Sequence, residues 1–371
     1  MRRERFCPAN PPIGTEVVMT HKNSAKQRAK DLAPTFRFSV PLMAALLLLS
    51  LTPTPVSAQS LGDSKVIAAV PSPGFPEGIA TRGNRFYVTG PAAFGLPLGS
   101  AYVQAYDIRT GELKARYPIA ITNPFAGMSG ASCAAFGPDG KLYVIEPFVG
   151  VIRMNLDPAN TQSIYAAFTP TGPSLLNDLA FDQDGNLYIT DSFAATIYKV
   201  PAGGGAPAVW FADPALAGNP AIPFGVNGIR IDNSNHYVYV SVTVDAAFDG
   251  KIYRLPLVAN PVATDLQLFA SLGFTGPDGI AFGKSGKLYV AEALTSTITV
   301  LNPDGSVDAT YGGPALNPPG PPLPWANPAN IAFDDQNGTL LVTNHASLVP
   351  FDPMLFVVFD VFVNDKGSPL P

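Results

Sequence analysis

Charge, cysteine and histidine are all scarce in this chain. Of its 371 residues only 14% are charged, two are cysteine and three are histidine. Cys7 belongs to an N-terminal segment of separate character, which leaves Cys133 without a partner. A disulfide framework is therefore excluded, and the fold must rest on its own apolar core. Amphipathic helices of useful length are also missing after residue 60. Hydrophobic residues, by contrast, reach 47%, alongside 34 glycines and 39 prolines. Many short strands joined by Gly/Pro turns produce that balance, and long helices do not.

The N-terminus reads as a targeting segment. Residues 1–37 are basic and lack apolar periodicity, and "VPLMAALLLLSLTPTPVSAQS" follows at 40–60. Its unbroken apolar core, Pro41 to Leu51, is shorter than the ~20 residues that span a bilayer. "VSA" ahead of Gln59 has the small-x-small form of a signal peptidase site. The expectation is a signal peptide over 1–58 and a single mature domain over 59–371. The mature protein would be exported, periplasmic or extracellular, with no stable membrane span. Residues 1–58 hold eight of the 23 basic and three of the 28 acidic residues, which leaves 15 basic against 25 acidic and a net charge of −10. Nucleic acid is excluded as a partner, because neutralising phosphates takes clustered basic residues.

One phrase occurs six times: "PEGIATRGNRFYVTG" (76–90), "ASCAAFGPDGKLYVIEP" (131–147), "LNDLAFDQDGNLYITD" (176–191), "VNGIRIDNSNHYVYVS" (226–241), "PDGIAFGKSGKLYVAEA" (277–293) and "PANIAFDDQNGTLLVTNH" (328–345). The positions that open it are Glu77, Ser132, Asn177, Asn227, Asp278 and Ala329, spaced 55, 45, 50, 51 and 51 residues apart. Such a period signals a solenoid or propeller. Each phrase is a hairpin around a tight turn, and two further β-rich runs follow it. Four antiparallel strands per repeat make a propeller blade. The sequence thus predicts an all-β, six-bladed β-propeller. "SKVIAAV" (64–70) should complete the last blade beside "LFVVFDVFV" (355–363) and leave no open seam.

In a propeller the innermost strands surround a channel. The residue just before each "IAF" or "LAF" run then stands at one channel mouth, and six repeats make a ring. The ring carries two carboxylates (Glu77, Asp278) and two amides (Asn177, Asn227). These hard oxygen donors suit Ca2+, or Mg2+ or Mn2+, and two carboxylates balance a divalent charge. The absence of Cys and His from the ring argues against zinc. Four protein donors leave positions open on a cation that takes 6–8 oxygens, as a Lewis-acid site requires.

With Glu77 in "PEGIA", Asn177 in "LNDLAF", Asn227 in "VNGIRI" and Asp278 in "PDGIAF", the chain resembles the senescence-marker-protein/gluconolactonase family over about residues 64–363. That family takes in regucalcin-type lactonases and diisopropyl-fluorophosphatase. The resemblance implies one catalytic divalent cation held by those four residues, and a small-molecule lactone or ester as substrate. Asp278 would be ligand and also base or nucleophile. The alternative is a non-catalytic propeller with a structural calcium site that serves ligand or protein binding.

Other positions carry open readings. Glu146, Asp191, Glu292 and Asn344 end the second strands, as second-sphere groups or as loop ends. His345 is a candidate general base or an ordinary loop histidine. Ser132 lacks a His/Asp pattern and reads as channel lining. Cys133, by strand alternation, should point away from Ser132 into the core. "GGG" (203–205) is a turn, because no Lys-Ser/Thr follows it. The Pro-rich stretch 317–330 would form a rigid rim or a lid.

Overall fold

The computed structural model describes residues 59–92, 100–121, 130–157 and 159–368. The segment 1–58, read above as a signal peptide, lies outside them. Among the described residues the only helical pieces are three single 3-10 turns, at Pro214–Leu216, Ala263–Asp265 and Pro353–Leu355. All else that is regular is strand.

The strands form six four-stranded antiparallel sheets. Five take their strands in chain order. The sixth combines Pro328–Asp334, Thr339–Asn344 and Val357–Phe362 with Ser64–Ala69 from the start of the domain. Ser64 pairs with Val361 and Ala69 with Val357, so the ring is closed by hydrogen bonds, as the sequence predicts. The Pro-rich stretch and Leu316 just ahead of it support this closure from outside. Leu316 exchanges backbone hydrogen bonds with Ser64 and Val66, and Trp325 stacks on Phe359 at 5.3 Å. This packing covers the edge of the closing strand.

The core is divided among the six seams between blades. The repeated Leu-Tyr pair shows how. Successive strand residues face opposite sides of a sheet. Leu142 accordingly packs in the seam between blades 1 and 2, and Tyr143 in the seam between blades 2 and 3. Leu288 and Tyr289 split in the same way around blade 5. Four of the tyrosines then meet the phenylalanine of the next phrase edge-on: Tyr87–Phe136 at 5.1 Å, Tyr143–Phe181 at 4.8 Å, Tyr239–Phe282 at 4.9 Å and Tyr289–Phe333 at 5.2 Å. Such pairs contribute about 0.5–1.5 kcal/mol each beyond their burial.

Candidate functional site

All six opening residues stand at the same register position, one per blade, and each sits in a β-bulge. In blade 3 the pairing steps from Leu176–Asp191 to Leu179–Ile189, so Asn177 and Asp178 together oppose Thr190. The same two-against-one arrangement sets Asn227 and Gly228 against Ser241, Asp278 and Gly279 against Ala291, and Ala329 and Asn330 against Thr343. In blades 1 and 2 the backbone bonds place Glu77 and Gly78 opposite Thr89, and Ser132 and Cys133 opposite Ile145. A bulge disrupts strict alternation and re-aims side chains. Here it creates two tiers: the ring itself, and a tier of Gly78, Cys133, Asp178, Gly228, Gly279 and Asn330 just beneath it.

The second strand stitches the ring together. Its bulge-facing hydroxyl donates to the ring carbonyl of the next blade: Thr89 to Ser132, Thr190 to Asn227, Ser241 to Asp278 and Thr343 to Glu77. Close approach also demands glycine. A Cβ on Gly228 would lie 2.4 Å from the Asp278 carbonyl oxygen, and one on Gly279 would lie 2.7 Å from Asn330 Cα.

The two ring amides are aimed by their nitrogens. Asn177 Nδ2 donates to Ser192 Oγ at 3.2 Å, and Asn227 Nδ2 donates to Thr243 Oγ1 at 3.0 Å. Both carbonyl oxygens are thereby left buried without a protein partner, as is Asp278 Oδ1. Orphaned buried oxygens are costly unless something else satisfies them. Three of them at one mouth, with the Glu77 carboxyl beside them, fit a hard divalent cation. The amides are integral to that fit, since no group of three or more His, Cys, Asp or Glu suited to a metal exists among the described residues.

The electrostatics agree. Burial, and then the nearby Asp178 charge, push Glu77 up to about 8. Asp278 is driven well above the usual carboxylate range by burial and by Glu77 and Asp178, with the Asn227 amide opposing. A cation removes the cause of both shifts by stabilising the ionised forms. Asp278 is half-buried, whereas Glu77, Asn177 and Asn227 are buried. It is the ring carboxylate that a molecule entering the mouth meets.

His345 lies against Glu77, with its Nδ1 3.5 Å from Oε2. Its Nε2 is 3.0 Å from the Ala92 carbonyl, which can only accept, so Nε2 carries the proton. Burial lowers its pKa to about 4. In the cation-free protein the contact therefore joins two neutral groups between about pH 4 and 8.

Beneath the ring, Arg230 fills the channel. Its Nη1 is 2.7 Å from Asp178 Oδ2, and its Nη2 is 3.4 Å from Asn330 Oδ1. Asn330 Nδ2 reaches Cys133 Sγ at 2.8 Å across the channel. Cys133 is buried, as expected, but its sulfur meets the Asn330 amide in the second tier, because the bulge breaks the alternation. Burial pushes its thiol well up, which makes it unreactive. Sequence reasoning missed Asp178, Arg230 and Asn330. The available signals were a polar residue or glycine after every opening position and a lone arginine within "IRI".

The second-strand ends prove to be turn caps. Asp191 Oδ1 accepts from the Leu175, Phe193 and Ala194 amides. Glu146 accepts from Phe148 N, Glu292 from Thr297 and Thr299, and Asn344 from Ala326 N. Ser132 Oγ points to the Leu176 carbonyl at 3.2 Å, consistent with channel lining.

The fold is thus a closed six-bladed propeller with an oxygen-lined channel mouth. The chain belongs to the SMP-30/gluconolactonase/LRE-like family, whose pattern it matches over residues 99–346. It is 25% identical over 294 residues to the diisopropyl-fluorophosphatase of Loligo vulgaris, across 74% of this chain and 86% of that one. Its fold is similar to that of a calcium-binding regucalcin from Agrobacterium tumefaciens, at a TM-score of 0.61 and 18% identity over 83% of this chain and 96% of that one. A gluconolactonase from Xanthomonas campestris gives a TM-score of 0.56 and 16% identity, over 84% and 91% of the two chains.

Proposed function

We propose that the protein is an exported, calcium-dependent hydrolase of lactones or related esters. The observation that carries this reading is the set of three orphaned oxygens, one of them on the half-buried carboxylate of Asp278. Glu77, Asn177, Asn227 and Asp278 would hold the cation, with Mg2+ and Mn2+ as the other hard ions that fit. When bound, it supplies Lewis-acid polarisation of the substrate carbonyl. The family membership, the relationship to a diisopropyl-fluorophosphatase and the fold likeness to a gluconolactonase support hydrolysis. The character of residues 1–58 supports export.

The chain's own groups divide the work. Ser192 and Thr243 fix the two amides, so the site is ordered before substrate arrives. Asp278 keeps one oxygen buried and unpartnered at the ring and is the half-buried carboxylate of the set. From there it attacks the acyl carbon or takes the proton of an attacking water. His345 and the Thr343 hydroxyl hold Glu77 in place from side chain and backbone. Arg230 offsets Asp178 and leaves Glu77 and Asp278 as the two charges that match a divalent ion.

The test is a panel of lactones, aryl esters and phosphotriesters assayed with Ca2+ and with chelator. Turnover of lactones or esters that vanishes in chelator and returns with Ca2+ is expected. A cation that raises the melting temperature without any turnover would instead assign it a structural role.

A further inference from the structure

The face that carries the oxygen ring has an aromatic rim. By strand direction, two kinds of loop open on it: the turn after each second strand, and the connection before each first strand. Phe193 and Phe248 lie in turns of the first kind, in blades 3 and 4. Phe224 and Phe274 lie in connections of the second kind, ahead of Asn227 and Asp278. Phe351 lies in the corresponding turn of blade 6. These are the exposed phenylalanines among the described residues, and all five open on the ring face. The four in blades 3 to 5 are 37–51% exposed, and they stand in two edge-on pairs. Phe193 meets Phe224 at 5.4 Å, and Phe248 meets Phe274 at 6.0 Å. Single exposed apolar residues are ordinary, but paired aromatics beside a polar pocket mark a binding surface.

The rim is continuous with the ring. Phe193 follows Ser192, whose hydroxyl takes the Asn177 amide. Phe224 is three residues from Asn227, and Phe274 is four from Asp278. Chain rises of about 3.5 Å per residue put these phenylalanine backbones within roughly 14 Å of the ring residues. A molecule with its carbonyl at the ring can therefore lay a chain of several carbons on these faces.

We propose that this arc selects lactones and esters bearing a long alkyl or aryl substituent, with Phe193, Phe224, Phe248 and Phe274 as the specificity-determining residues. The proposal rests on the hydrolase reading for its chemistry, but not for its binding. Each methylene laid on the rim gives up to about three- to fourfold in affinity.

The experiment has two readouts. The first is kcat/KM, with Ca2+, for γ-dodecalactone relative to γ-butyrolactone. The wild-type ratio should exceed about tenfold, and it should fall at least tenfold in both F193S/F224S and F248S/F274S. The second is calorimetric binding of the unhydrolysed analogues γ-dodecalactam and 2-pyrrolidinone, which needs no turnover. The long lactam should bind at least tenfold tighter, and the double variants should remove the difference. If lactones are turned over with no regard to chain length, the rim proposal fails and the hydrolase reading stands. If nothing is turned over but lactam binding still depends on the phenylalanines, the hydrolase reading fails and the rim proposal stands. Equal affinity for the two lactams overturns the proposal outright. So does sedimentation with phosphatidylcholine vesicles, or dimerisation, that the same substitutions abolish while chain length has no effect.

Discussion

The two ends of the channel are built by the same six strands and have opposite chemistry. The ring end is crowded with oxygens. The far end is lined mainly by small and apolar residues, Ala80, Ala135, Ala180, Ala281 and Ala332 among them, with Arg230, Arg82 and Asp335 as its charged groups. There a cavity of about 440 Å3 remains. The difference arises within three residues. Beyond the bulge each strand alternates regularly, so alternate side chains turn into the seams on either side and the far end is mainly apolar. At the bulge two consecutive residues oppose one, and both are freed from the seams. A propeller can therefore keep its packing constant and vary its chemistry, provided the variation is confined to the bulge.

The sharpest way to test that division is at Asp278. Asp278→Asn keeps an oxygen donor and the packing but removes the carboxylate's basicity. At saturating Ca2+, turnover should fall by about 10²–10⁴ if Asp278 is base or nucleophile. Glu77→Gln should instead weaken Ca2+ binding and recover most of its turnover at high Ca2+. Steady-state kinetics across a calcium titration separate the two. Full activity of the Asp278→Asn protein would remove it from the chemistry.

Arg230 marks the border between the two ends. Its partner Asp178 has a side chain 2% exposed, and its own is 16% exposed. Arg230→Met would leave a buried carboxylate unpaired, which costs about 3–5 kcal/mol. Urea unfolding should show this loss, and Asp178→Asn in the same chain should recover most of it. An Arg230→Met protein as stable as wild type would mean that the pair does not hold the two ends apart.

The third test uses pH, because the ring end contains carboxyls raised by burial. Glu77, at about 8, keeps its proton at neutral pH when no cation is present. Ca2+ must displace it, so affinity should climb by up to about tenfold per pH unit from 6 toward 8 and then flatten. The stability sign follows from linkage. A carboxyl whose folded pKa lies above its unfolded value favours the folded state at acid pH, and that contribution is lost as pH rises through about 8. In chelator the melting temperature should fall from pH 5 to 9, and Ca2+ should restore it most at the alkaline end. Calorimetry and thermal melts check both, and a pH-independent calcium affinity would contradict the buried ring.

The ring end was also the more legible from sequence, and for the same reason. A period of 45–55 residues fixes which positions are equivalent, so six opening letters could be read as one ring before any coordinates. The bulge could not be read, because alternation is the rule by which strands are interpreted. It therefore hid the second tier: Asp178 and Asn330 went unnoticed, as did the polar contact of the buried Cys133. Glu146, Asp191 and Glu292 were correctly placed at strand ends, but only their hydrogen bonds reveal them as turn caps. The role of His345 depended on a contact with Glu77 that spans the closure between blades 6 and 1, which no local pattern reports.

The smallest expected effect is confined to one strand, the second of blade 6, which has a threonine at each end. Thr343, at the ring end, accepts from Asn330 N at 3.0 Å and donates to the Glu77 carbonyl at 2.7 Å. Thr339, at the far end, is also buried, but its hydroxyl has no partner among the described residues. Valine is close to threonine in shape and lacks the hydroxyl. Thr343→Val strands a buried N–H and loosens the backbone of Glu77, so it should cost about 1–2 kcal/mol and weaken calcium binding modestly. Thr339→Val removes an unsatisfied polar atom and should be neutral or slightly stabilising, with calcium binding unchanged. Urea unfolding and calcium titration of the two single variants decide the matter. Equal costs at both ends would mean that the hydroxyl stitch is ordinary strand packing and does not separate the ring from the rest of the channel.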